Sequence, residues 1–109
     1  MFAIMILMIK PFIIINGYVY LDGKDRAGLG KYLYDELSIK KPIIGIAKTY
    51  FYGITPEYAV YRGMSKHPLY VTTIDFDGNI AKELVQGLQG KHRIPDIIKA
   101  VDKLSRSFY

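Results

Sequence analysis

The sequence predicts a single α/β domain, a mixed sheet with helices packed on it. Two short β-branched runs, Phe12–Ile15 and Ile43–Ala47, read as strands buried on both faces. An amphipathic helix falls between them, and strand, helix and strand close within about 35 residues, the span of a βαβ unit with a parallel pair. At 109 residues the chain has room for one small domain, 1–109.

Each element follows from local chemistry. Met1 to Ile9 is wholly apolar. A membrane span needs roughly 20 apolar residues, and Lys10-Pro11 interrupts this stretch. A signal peptide wants a positive start, and Met1-Phe2-Ala3 carries no side-chain charge. The run therefore reads, together with Phe12–Ile15, as two buried strands, or as one strand plus a start placed inside a longer gene. A cytoplasmic protein with no membrane partner is expected. Phe12–Ile15 is bounded by Pro11 and Asn16-Gly17; Tyr18 to Leu21 either extends the strand or folds back as a ribbon. Asp22-Gly23-Lys24-Asp25 is turn chemistry. From Ala27 to Leu37, the recurrence of Leu29, Leu33 and Leu37 marks a helix, weakened by Gly28 and Gly30, which suit close backbone approach to a strand or ligand. After the Ile43–Ala47 strand, Tyr50 to Pro56 is an aromatic loop. Tyr58–Arg62 and Leu69–Thr73 read as a hairpin joined by Gly63–Pro68. Asn79 to Gln89 is helical, with Ile80, Leu84, Val85 and Leu88 on one face and Gly90 as its stop. Pro95 opens a last helix whose apolar side is Ile97, Ile98, Val101 and Leu104.

Composition narrows the function. Half the residues are hydrophobic and 23% are charged, an ordinary globular balance. The absence of cysteine removes disulfides and thiolate metal sites. A net charge of +5 favours polyanionic partners, because Lys and Arg release counterions when they neutralise phosphates. Three helices are too few to cover two strands buried on both faces. The chain is therefore part of a larger domain, or it forms a homodimer through the uncovered sheet.

Four collinear segments resemble the endonuclease V family. Ile14 to Gly23 followed by Arg26 to Leu33 is similar to that family's strand ending in Asp-Gly and its later Gly-x-Gly step into a helix. Pro42 to Thr49 resembles its strand ending in Gly-Val-Ala-Lys. Lys66 to Thr72, then Lys91-His-Arg-Ile-Pro-Asp96, resembles its closing segment. The resemblance runs from Phe12 to Arg106. It implies part of a ribonuclease H-like mixed sheet and a Mg2+-dependent endonuclease that cuts DNA or RNA near deaminated bases such as inosine, a repair hydrolase. Carboxylates at adjacent strand ends would hold the metal, which activates water and steadies the leaving oxygen.

The departures matter as much. The family's Asp falls on Asn16, which brings an amide oxygen but no charge. Asp22 compensates only if Gly17–Leu21 folds it back to the strand end. The family's His falls near Asp75, a third candidate ligand. The family's N-terminal half, with a further Asp, a Glu and a wedge loop, has no counterpart before Phe12. The expected catalytic residues are Asn16, Asp22 and Lys48, and the expected metal ligands are Asn16, Asp22 and Asp75. Lys48, Arg26, Gly28 and Tyr50 are the expected nucleic-acid contacts.

Ordinary readings stand beside these. Asn16-Gly17 is also a type I′ turn signal, and Asp22 a turn residue. Lys48 directly follows a strand, at the edge where α/β sheets hold ligands. Arg26 opens a helix, where a bound phosphate would offset the dipole; a surface arginine explains it equally. Tyr50, Phe51 and Tyr52 could stack on unpaired bases or simply half-bury. His67 and His92 lack metal spacing and read as structural or surface residues. Three functions remain: a nuclease, a catalytically impaired nucleic-acid-binding remnant, and a purely structural domain. Too few carboxylates near strand ends make cleavage by this chain alone doubtful.

Overall fold

The computed structural model describes residues 6–9 and 12–88. β1 (Ile6–Ile9) and β2 (Phe12–Asn16) pair antiparallel, with Ile9 opposite Phe12. α1 (Leu29–Glu36) then carries the chain to β3 (Ile43–Ala47), which lies parallel to β2. This is the βαβ unit that the strand–helix–strand spacing predicts. A single 3-10 turn, Pro56–Tyr58, leads into β4 (Ala59–Val60), and β5 (Leu69–Ile74) returns antiparallel to both β4 and β3. α2 (Gly78–Gln86) follows. The strands form one mixed sheet in the order β1-β2-β3-β5-β4. The helix expected from Pro95 lies outside the described residues.

β-Branched residues fill the middle strands because each face of the sheet is covered. Ile14, Ile44, Ile46, Leu69 and Val71 pack with Ala81 and Val85 of α2. Ile13, Ile15 and Ile43 pack on the other face, against Leu33, Tyr34 and Leu37 at α1. Among the described residues one helix packs on each face of the sheet, α2 on one and α1 on the other. Of the stripe expected on α2, Val85 and Leu88 do pack on the sheet, while Ile80 and Leu84 do not. Ala81 and Val85 are buried, whereas Ile80 and Leu84 are 52% and 42% exposed.

The helix ends are secured in different ways. Asp77 caps α2, its carboxylate accepting from the amides of Asn79 and Ile80 at 2.9 and 3.0 Å. At the other end of α1, Lys40 folds back and donates Nζ to the carbonyls of Tyr34, Asp35 and Leu37, placing a cation at the negative pole of the helix.

β4 pairs only with Leu69 and Tyr70, so the outer flank of β5 beyond Val71 runs past it. Gly23 and Tyr58 border a hollow of about 220 Å³ along that flank, lined also by Val71 and Thr73.

Candidate nucleic-acid interface

Parallel strands end on the same side of a sheet, and that fact assembles the site. Asn16 ends β2 opposite Ile46, and the Gly17 amide donates to the Ile46 carbonyl at 3.0 Å. Lys48 follows Ala47 directly, so Asn16 and a half-buried Lys48 share one edge. That edge is the C-terminal end of a parallel pair, where α/β proteins hold ligands.

Asn16-Gly17 is not a hairpin turn. The chain instead passes over the face of β3. A Cβ at position 45 would lie 2.5 Å from the Gly17 carbonyl oxygen and 2.9 Å from the Val19 nitrogen, so only glycine allows the crossing. Beyond it, the Val19 amide donates to Thr72 Oγ1 at 2.8 Å, on β5. Gly28 and Gly30 close over the same segment, donating to the carbonyls of Val19 and Tyr18 at 2.8 and 2.9 Å. The expected close approach at these glycines is therefore to the protein's own backbone. The Gly28 amide, taken by Val19, does not serve as a phosphate donor.

Tyr18, carried over by this crossing, anchors the loop after β3. Its hydroxyl donates to the Thr49 carbonyl at 2.7 Å. Burial first, and the neighbouring Tyr70 second, push its pKa up to about 12, so it stays neutral. Phe51 packs edge-on to Tyr18, and the Arg26 guanidinium sits 5.5 Å from the centre of the Phe51 ring. Arg26 thus lies against the loop that Lys48 opens.

The carboxylates go elsewhere. Asp22 Oδ1 accepts the amides of Lys24, Asp25 and Arg26 at 2.9, 2.9 and 3.1 Å. Those bonds hold its carboxyl down at about 2. Its turn is tied by a bridge between Tyr20 and Ala27, so Asp22 sits in a closed turn and not in a continuation of β2. Asp75 is further away still in the topology. β5 runs against β3 with Ile74 opposite Ile43, which puts Asp75 at the opposite edge of the sheet. There it has φ 57° and accepts the hydroxyl of Tyr34, a bond that raises the Tyr34 pKa. The expected trio of ligands is not brought together.

A Mg2+ ion wants several oxygen ligands in near-octahedral array. The edge offers the Asn16 amide in place of a carboxylate, and no group of three His, Cys, Asp or Glu side chains converges among the described residues. This donor set departs from the one that the family resemblance implies.

What the edge does gather is aromatic. Tyr50 is 58% exposed and meets Tyr70 edge-to-face at 6.0 Å; Tyr52 is exposed beside it. Two hollows share Tyr50, Pro68 and Tyr70 as a common wall. One, of about 290 Å³, is lined by Lys48, Thr49 and His67; the other, of about 230 Å³, by Ile54, Pro56, Ala59 and Tyr61. Sequence reasoning does not single out Tyr61, Tyr70 or His67 as ligand contacts. The hairpin pattern holds the signal, since period two sets Ala59 and Tyr61 on one side, and the register faces Ala59 with Tyr70.

No protein-family model, curated protein or solved structure matches the chain. No helix among the described residues is long and apolar enough to cross a membrane.

Proposed function

We propose that the chain is an endonuclease V-like, ribonuclease H-type domain that binds DNA or RNA at the shared edge of β2 and β3 and does not cut it. One observation carries the reading: Lys48 and Asn16 lie at the same strand-end edge, while Asp22 and Asp75 are engaged elsewhere. A cation is retained where a backbone phosphate would lie, and the negative charge that hydrolysis through a metal requires is not gathered there. Arg26 beside Phe51 and the net charge of +5 favour the same polyanionic ligand.

An inosine-containing oligonucleotide tests both halves. Fluorescence anisotropy should show affinity that falls steeply as salt rises, and gel assays with Mg2+ should show the strand intact. Binding indifferent to salt would remove phosphate contact. Metal-dependent nicking abolished by Asp22→Ala would establish a nuclease instead.

A further inference from the structure

Of the exposed features at this edge, the two hollows divided by Tyr50, Pro68 and Tyr70 go furthest, because their linings differ in chemistry. The Lys48 hollow has a cation and the His67 ring at its rim. Ser65 holds His67 there: its hydroxyl accepts the His67 amide at 3.0 Å and donates to the His67 carbonyl at 3.2 Å. The other hollow has no charged residue in its lining. Ile54 forms a buried part of it, Pro56 and Ala59 add apolar surface, and Tyr61 stands 56% exposed at its side.

A nucleotide has the same division. Its phosphate is anionic and its base is a flat apolar ring with polar edges, and unpaired bases stack on tyrosine whatever their identity. Each hollow is smaller than the roughly 300–1,000 Å³ typical of a drug-sized ligand site, a size suited to one ring system or one phosphate. A base still paired in a duplex keeps its faces against its neighbours and could not present one to Tyr61 or Tyr50. We infer that this paired hollow takes an unpaired nucleotide of a single strand, its base against Tyr50 and Tyr61 and its phosphate at Lys48 and His67. The inference rests on the nucleic-acid reading above and narrows it to single strands gripped by stacking.

The test compares a single-stranded DNA or RNA oligonucleotide, its duplex, and an abasic single strand of equal charge, by anisotropy at fixed salt. The full chain should bind the single strand most tightly. Tyr50→Ala and Tyr61→Ala should each weaken that binding about 5- to 150-fold, the range measured for losing one stacked base, while Tyr50→Phe should bind as the parent does. Lys48→Ala should lower the slope of log affinity against log salt by about one. Circular dichroism and melting curves of each variant show whether the fold is kept. If the parent binds no nucleic acid, both readings fall. If it binds single strand, duplex and abasic strand alike, or if folded Tyr50→Ala and Tyr61→Ala bind as the parent does, the stacking site falls while phosphate contact stands.

Discussion

An alanine at position 45 would push its methyl carbon to 2.5 Å from the Gly17 carbonyl oxygen, and both that atom and the Val19 nitrogen are backbone. Neither can swing aside. Gly45→Ala should therefore cost about 1–3 kcal/mol of stability, as overpacked cores do, and loosen the loop that Tyr18 anchors. Gly78 supplies the contrast, for a methyl there meets nothing within 4 Å and the backbone is helical. Gly78→Ala should stabilise by about 0.4–1 kcal/mol through the unfolded chain. Urea unfolding of the two variants side by side checks the pair. Asp22 makes a different prediction. Its folded pKa is lowered, so the turn's contribution is fully present above the ordinary value of 3.8 and is lost as pH falls through about 2. The amide resonances of Lys24, Asp25 and Arg26 should shift together with a midpoint near 2; a midpoint near the usual carboxyl value of about 4 would show that these bonds are not formed. That Asp-Gly favours a turn was legible in the sequence. That one oxygen of this carboxylate takes three backbone amides was not, because it depends on how the chain between Tyr20 and Ala27 folds back on itself.

Among the elements, α2 shows where pattern reading stops. Its existence follows from the periodicity, but the expected span of Asn79 to Gln89 becomes Gly78–Gln86, with Asp77 as its cap. Its inward stripe follows only in part: Val85 and Leu88 pack on the sheet as expected and Ala81 joins them above Ile46 and Val71, while the larger Ile80 and Leu84 remain outside. Asp77→Ala removes the acceptor for two amides and should cost about 0.5–2 kcal/mol; Asp77→Ser should restore most of it in thermal melts. The hairpin was legible too, from turn residues between two β-rich runs. The direction of β5 relative to β3 was the missing step, and it decides that Asp75 meets Tyr34 rather than Asn16. A strand's sequence gives its period, but its orientation comes from the neighbours it is paired with.

At the scale of the whole molecule, the sheet is stiffest at its centre. All five residues of β3 are buried, and both its neighbours are longer than the two-residue β4. Native-state hydrogen exchange should rank β3 amides slowest and those of Ala59 and Val60 among the fastest of the sheet; the reverse ranking would overturn a sheet with β3 at its centre and β4 at its rim. The parallel β2–β3 pair, which sets Asn16 beside the approach to Lys48, was the part of this plan that the spacing of two apolar runs around one helix made readable. The shortness of β4 has its own outcome. A strand flank without a paired neighbour presents backbone donors and acceptors on which a further chain can add. The Asp22–Arg26 turn sets Gly23 against Tyr58, and with Val71 and Thr73 these two line the hollow beside that flank, so the turn that holds Asp22 stands next to the part of β5 that β4 leaves uncovered.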